Sequence, residues 1–202
     1  MVSLKDVIQA KLVEKIQLDE LVLEWGDDIA DREKDRETLE TLEPHSNLKK
    51  LSIKFYQGTN FRGWLVNKEF HNMEFLCLSN WKKCLSLPPL WRLPTLEVLI
   101  IEGMDKMKKV GPHFCWPNME FKSLKTLTFD GMLEWEEWIS LECDGREFPC
   151  LQELCIRRCP KLKGNLPKQF PFIRKVEILD SKELVSTLLK RGIITQMAFT
   201  LS

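Results

Sequence analysis

Four cysteines are the residues whose type and spacing first suggest chemistry: Cys143, Cys150, Cys155 and Cys159. Cysteine thiolates bind zinc, and structural zinc sites usually take their ligands from close CxxC-type pairs. The spacings here are 7, 5 and 4 residues. In the strand pattern described below, Cys155 would face outward and Cys159 inward. We therefore predict no metal site, and we interpret Cys159 as a structural thiol.

The histidines offer no catalytic arrangement. His45, His71 and His113 fall in three different connecting segments. None has a nucleophilic cysteine or a carboxylate at a spacing that suggests a Ser-His-Asp or Cys-His site. The sequence therefore predicts a protein that is not an enzyme.

Composition excludes several classes of partner. The 30 basic and 30 acidic residues balance to a net charge of zero, and the basic residues form no stripe, so nucleic acid is not an expected partner. No apolar run approaches the roughly 18 residues that a membrane span needs. The seven cysteines are an odd number without regular pairing, which favours a reducing, cytoplasmic location.

Seven segments share the spelling LxxLxL, in which L is any apolar residue. They are LDELVL, LKKLSI, MEFLCL, LEVLII, LKTLTF, LQELCI and IRKVEI, beginning at Leu18, Leu48, Met73, Leu96, Leu124, Leu151 and Ile173. Their starts lie 22 to 30 residues apart, which is the period of leucine-rich repeats. The sequence predicts an α/β fold: a leucine-rich-repeat solenoid, or horseshoe, with a parallel concave β-sheet of about seven strands.

Other positions refine this fold. Three residues after each last apolar position, we expect an inward side chain: Gly26, Tyr56, Trp81, Met104, Met132, Cys159 or Ser181. The proline-marked connections predict an irregular or short-helical convex side. The segment 133–138, with two tryptophans three residues apart, is interpreted as convex-side packing rather than as a ligand site.

The two ends of the chain differ from its middle. Residues 2–16 predict a short helix with one apolar stripe, made of Leu4, Ile8, Leu12 and Ile16. The charged stretch 27–37 is predicted to be a solvated loop, followed by a helical turn over 37–42 that Pro44 ends. Residues 1–186 form the predicted repeat region and 187–202 an atypical tail. The uncharged run 192–201 is either a cap for the last repeat or a sticky, non-native end.

The x positions of LxxLxL face the concave side, where side chains of successive strands stack in rows. Opposite charges meet in four predicted pairs: Asp19 with Lys49, Glu20 with Lys50, Glu97 with Lys125 and Glu153 with Lys175. These pairs form either a self-neutralising ladder or a mixed-charge docking face. In the middle, two adjacent strands present a predicted apolar patch: Phe75, Cys77, Val98 and Ile100. The candidate binding surface is this patch with Lys50, Glu97, Lys125 and Glu153 around it.

Several phrases together resemble one family. They include LDELVLEWGDD at 18–28, SLPPLWRLPTLEVLII at 86–101, FKSLKTLTFDGMLEWEEW at 121–138 and FPCLQELCIRRCPKLKGNLP at 148–167. Their order closely resembles the repeat region of plant disease-resistance receptors with a coiled coil, a nucleotide-binding NB-ARC module and leucine-rich repeats. The resemblance covers roughly residues 5–185. No GxxxxGK[ST] phosphate loop occurs in the chain, so no cofactor is expected here, and ADP or ATP would bind only to a joined NB-ARC module.

The resemblance implies a role in plant innate immunity, the defense response. In such receptors the repeats hold the nucleotide module inactive, and they contribute to sensing a pathogen effector or a guarded host protein. The expected partners are therefore proteins, and the apolar patch would contact the nucleotide module in cis or a ligand. The alternative is a stand-alone, truncated leucine-rich-repeat scaffold or decoy that binds without switching.

Overall fold

One parallel β-sheet runs through the chain. The computed structural model describes residues 9–26, 32–59, 63–67, 70–111, 120–139, 147–164, 166–167, 170–190 and 199–201. Each LxxLxL segment contributes a strand: β1 (Glu20–Glu24), β2 (Lys50–Lys54), β3 (Phe75–Ser79), β4 (Val98–Glu102), β6 (Thr126–Asp130), β8 (Glu153–Arg157) and β9 (Lys175–Leu179). An eighth strand, β10 (Phe199–Leu201), pairs with β9. The predicted leucine-rich-repeat solenoid is confirmed.

The core lies behind this sheet. Residues at the same position of successive repeats pair in register, as Leu99, Leu127 and Leu154 do. All three have no exposed surface. Because side chains alternate between the two faces of a strand, the apolar positions of LxxLxL stack into one continuous apolar layer.

A left-handed residue ends each strand from the second repeat onward. It is Phe55, Asn80, Gly103, Gly131, Arg158 or Asp180. The amides of the first five still donate to the next strand; for example, Asn80 N donates to Glu102 O at 2.8 Å. The bend turns the next residue inward, and Tyr56, Trp81, Met104, Met132, Cys159 and Ser181 are all buried. The predicted inward position is therefore confirmed for six repeats, whereas Gly26 of the first repeat is exposed.

The bend makes a prediction about Gly103 and Gly131, both of which have φ of +62°. We expect Gly131→Ala to cost roughly 1–2 kcal/mol, the usual penalty for an L-residue in this conformation, because its Cβ would have no atom nearer than 3.7 Å. Gly103→Ala should cost roughly 1 kcal/mol more, since its Cβ would lie 2.6 Å from Asn80 Oδ1. Urea denaturation of both variants measures the difference. Equal losses would show that Asn80 moves away freely.

A second apolar pattern, which the sequence analysis did not single out, follows the bend. The segments WKKCLSL, MDKMKKV and MLEWEEW, starting at Trp81, Met104 and Met132, place an apolar residue at every third position. The apolar residues at these positions are buried. The ends of the second and third segments pair as a small parallel sheet of β5 (Lys109–Val110) and β7 (Glu137–Trp138). We call the exposed residues of these segments the flank. The packing predicted for 133–138 is confirmed, because Trp135 and Trp138 are 0% and 4% exposed.

Within the described connections, the structure has the short helices α1 (Arg32–Thr41), α2 (Trp64–Asn67) and α3 (Lys182–Lys190). Helix α1 corrects the prediction of a loop over 27–37, of which residues 27–31 lie outside the described residues. Charged residues with good helix propensity continue into a turn that buries Leu39. The indole of Trp64 donates to Leu39 O at 2.8 Å and fixes this helix to the next repeat. The helix ends before Pro44, as predicted.

The predicted apolar stripe over 2–16 is wrong in its described part, which begins at residue 9. Lys11 has φ of 45° and Leu12–Glu14 is a 3-10 turn, so an α-helix cannot continue through it. Ile16 is 59% exposed instead of packed. Leu4 and Ile8 lie outside the described residues.

At the other end, α3 buries Leu184 and Leu188 and crosses the predicted boundary between residues 186 and 187. Strand β10 lies beside β9. The division of the chain at this boundary stays a prediction. None of the helices that the structure describes has the length and apolarity needed to cross a membrane.

Candidate functional site

The register of the sheet fixes which side chains are neighbours on the concave face. Pairing runs Lys50, Phe75, Val98, Thr126, Glu153 in one row. The next row along the strands runs Ser52, Cys77, Ile100, Thr128, Cys155. The structure thus places the predicted site residues on, or directly before, five neighbouring strands, β2, β3, β4, β6 and β8, in the predicted order.

The apolar patch is a two-by-two block at the centre of these rows. Phe75 is opposite Val98, and Cys77 is opposite Ile100. All four side chains are half-buried, so each keeps part of its surface available. Thr126 and Thr128 follow on β6, while Lys50 and Ser52 precede on β2. An apolar centre with a polar border is the usual anatomy of a protein interface.

A further concave row was missed by the sequence analysis. Each strand continues one residue past the end of its LxxLxL segment, and this residue faces the concave side again. This row runs Lys54, Ser79, Glu102, Asp130, Arg157. The alternation of side chains, continued by one position, would have revealed it.

This row forms one border of the patch, and hydrogen bonds connect its side chains. Ser79 Oγ donates to Glu102 Oε1 at 2.5 Å. The Asn80 amide Nδ2 donates to Ser79 Oγ at 2.9 Å. Glu74 and Glu97 precede β3 and β4 at the opposite border. The patch is therefore bordered by carboxylates at both ends of its strands and by Lys50 at one side.

The predicted charge ladder forms in part. Asp19 pairs with Lys49 at 3.0 Å, and Glu97 pairs with Lys125 at 2.6 Å. The hydrogen bond that the Lys49 ammonium donates to Asp19 raises the pKa of Lys49. Glu20 lies opposite Lys50, as predicted. The two ion pairs, Asp19 with Lys49 and Glu97 with Lys125, are exposed, so each contributes little to stability.

The last predicted pair differs. Glu153 and Lys175 lie opposite each other, but the ammonium of Lys175 binds Glu177 at 2.8 Å. The guanidinium Nε of Arg157 donates to the same carboxylate at 2.6 Å. These hydrogen bonds, first from Lys175 and then from Arg157, lower the pKa of Glu177. Glu177 is 8% exposed, and a carboxylate so enclosed needs such partners.

Asp130 lies beside this cluster. Burial raises the pKa of Asp130, although the charges of Arg158 and Arg157 oppose the rise. Arg158 Nη2 lies 2.7 Å from Asp130 Oδ1. The concave face thus has a charge cluster toward β9, built around the buried carboxylates of Glu177 and Asp130, and an apolar patch on β3 and β4.

Burial lowers the reactivity of two of the described thiols, Cys77 and Cys159. Burial raises the pKa of Cys77 to about 11 and of Cys159 to about 12, so both are protonated at neutral pH and are poor nucleophiles. The inward position of Cys159 is confirmed, and its Sγ lies 3.1 Å from Arg157 O. Cys155 faces outward, as predicted, but its side chain is buried. It occupies a concave position but is only 6% exposed, because β8 lies beside the Arg157–Glu177–Lys175 cluster.

Cys143 lies outside the described residues. In the part of the chain that the structure describes, no three histidine, cysteine or acidic side chains are grouped so that they could hold a metal ion.

Comparison with known proteins agrees with this architecture. The R13L1/DRL21 leucine-rich-repeat family matches residues 1–104. A putative disease resistance protein of Arabidopsis thaliana is 41% identical over 150 residues, which are 72% of this chain and 10% of the relative. Putative disease resistance RPP13-like protein 1 of the same plant is 32% identical over 195 residues, or 88% of this chain and 18% of the relative.

Disease resistance protein RGA2 of Solanum bulbocastanum is 30% identical over 175 residues, covering 80% of this chain and 18% of the relative. The chain thus spans a tenth to a fifth of the length of these relatives. The stacked LxxLxL strands and the buried residues after each bend indicate a leucine-rich-repeat region, and the matches agree with this fold. The chain belongs to the R13L1/DRL21 family of leucine-rich repeats and is a leucine-rich-repeat region of plant disease-resistance proteins.

Proposed function

We propose that this repeat region is a non-enzymatic, cytoplasmic protein-binding surface of a plant immune receptor. It senses a pathogen effector or a guarded host protein, and it contributes to autoinhibition of a nucleotide-binding switch. The names of the relatives support a role in disease resistance. The observation that carries a binding role is the half-buried apolar patch on β3 and β4.

The charged border would select the partner. A ligand that covers Phe75 and Val98 also meets Lys50 on one side and Glu97 at the border. Glu97 is already paired with Lys125, so Lys50 and Glu153 are the more available charges of the candidate surface. Binding energy in such interfaces comes mainly from the desolvated apolar centre, while the border sets orientation and specificity. We therefore place the contact centre on the four patch residues.

The test combines Phe75→Ser with Ile100→Ser. We expect this double variant to lose most capture of its partner from plant leaf extract, with a loss of at least about tenfold. Its thermal midpoint should fall only slightly, because both side chains are half-buried on the concave face. Quantitative mass spectrometry of the retained proteins and a thermal melt give the two readouts.

The matched control is Val22→Ser. Val22 is an apolar residue on the same face of β1, 48% exposed and outside the patch. A partner retained by the Val22 variant and lost by the double variant depends on the patch. Equal retention by both would contradict the proposal, and unfolding of the double variant would show that the patch is core.

A further inference from the structure

The flank carries bands of one charge, which the balanced composition conceals. The fourth repeat exposes Lys106, Lys108 and Lys109, while the fifth presents Glu134, Glu136 and Glu137 at the corresponding positions. The third repeat adds Lys82 and Lys83. We name Lys82, Lys83, Lys106 and Lys108 the lysine band, and Glu134, Glu136 and Glu137 the glutamate band.

Contacts between the fourth and fifth repeats show that the bands are adjacent. Glu136 N donates to Lys108 O at 2.8 Å. Lys109 Nζ lies 2.9 Å from Glu137 Oε2. On the far side of the glutamate band, Lys161 Nζ donates to Glu134 Oε1 at 2.6 Å. Equivalent positions of the fourth and fifth repeats therefore lie about 5 Å apart on this flank, the spacing of neighbouring strands.

The two bands are neutralised to different extents. Two of the three glutamates are paired, with Lys161 and Lys109. Among the described residues, no carboxylate lies within ion-pair distance of a member of the lysine band. With Asp105 between its members, the lysine band has a net charge of +3. Four like charges on two neighbouring repeats repel one another, and an acidic partner would remove that repulsion.

Two exposed leucines define the kind of partner. Leu85 is 58% exposed and follows the lysines of the third repeat, and Leu133 is 46% exposed beside the glutamate band. Apolar side chains of a polypeptide can cover them, whereas a free phosphate cannot. The glutamate band also repels any polyanion that extends beyond two repeats, which disfavours a nucleic acid or an anionic membrane.

We propose that the flank of the third to fifth repeats binds a polypeptide segment in which a block of acidic residues lies next to a block of basic residues. The acidic side chains lie on the lysine band, the basic ones on the glutamate band, and an apolar residue contacts Leu133. Crossing from the third to the fifth repeat takes about 10 Å, or about three residues of extended chain. This site is separate from the concave patch and does not depend on it.

The test uses the full chain and a fluorescein-labelled synthetic peptide with two glutamates, a leucine and two lysines in that order. A peptide of the same composition with alternating charges is the comparison. Fluorescence anisotropy should show tighter binding of the block peptide. Its affinity should fall as salt rises from about 50 to about 300 mM, because exposed charges are screened.

Charge reversal locates the site. Lys82→Glu with Lys106→Glu should weaken binding of the block peptide at least about tenfold. Lys15→Glu with Lys122→Glu changes the net charge equally at exposed positions off the flank and should change affinity less than about twofold. Glu136→Lys should abolish the preference for the block peptide and strengthen binding of an all-glutamate peptide.

Three outcomes would overturn the proposal. The first is equal affinity for the block and alternating peptides. The second is equal loss in the two double variants. The third is tighter binding to phosphatidylserine vesicles or to single-stranded DNA than to the block peptide, which would assign the lysines to a membrane or a nucleic acid. A thermal melt of each variant verifies that the fold is retained.

Discussion

Replacing Leu127 by alanine is expected to lower the free energy of unfolding by about 2–5 kcal/mol. Leu127 has no exposed surface and lies between Leu99 and Leu154 of the neighbouring strands. The substitution leaves a cavity in the apolar layer that joins the repeats, and neighbouring strands held in register cannot collapse to fill it. Urea denaturation followed by circular dichroism measures the loss.

Thr126→Ala is the matched control. Thr126 precedes Leu127 in β6 and faces the concave side, half-buried. We expect its loss to stay well below that of Leu127→Ala, within about 1 kcal/mol. If the two variants lost equal stability, the assignment of inward and outward positions in this strand would be wrong, because a shift of one residue exchanges the faces.

Trp135→Ala should be at least as damaging, with an expected loss of about 3–5 kcal/mol. The ring of Trp135 has no exposed surface. Its centroid lies 4.7 Å from that of Phe129 and 5.7 Å from that of Trp138. Its indole also donates to Glu137 O at 2.8 Å. Truncation removes the ring contacts that connect the main sheet to the flank and leaves the partly buried Glu137 carbonyl without this donor.

Leu133→Ala serves as the control in the same segment. Leu133 is 46% exposed, so its truncation should cost little, within about 0.5 kcal/mol. Thermal and urea unfolding of both variants give the comparison. A small effect of Trp135→Ala would mean that the flank packs loosely on the solenoid, and the band arrangement of the flank would then lose its structural basis.

The repeat architecture is predictable from the amino-acid sequence alone. LxxLxL repeated seven times specifies a parallel strand with two inward positions, and each repeat can bury its apolar edge only by stacking on the next. For this reason the sequence alone predicted that Phe75 lies beside Val98 and that Cys77 lies beside Ile100. Residues at equivalent positions of successive repeats pair with each other, so contacts between residues that are distant in sequence can be predicted from the repeated apolar pattern.

Segments without repeated spelling were predicted less well. The stretch 27–37 is dense in charge and reads as a loop, yet α1 begins at Arg32. Its helix depends on Leu39 and on the indole of Trp64, which is 25 residues away. Similarly, the apolar spacing that ends at Ile16 indicated a helix, but Lys11 adopts a left-handed conformation. In both places a backbone conformation or a distant contact overrides local propensity.

Which charged side chains form ion pairs could be seen only in the folded structure. Lys175 could pair with Glu153 opposite it, but it binds Glu177, where Arg157 also donates. Cys155 is buried beside this cluster despite its concave position. Lysines and glutamates on the flank are distant in sequence and form bands only when repeats stack. Side-chain pairing depends on distances of a few ångströms between different repeats, and the apolar spelling that specifies the fold contains no information about these distances.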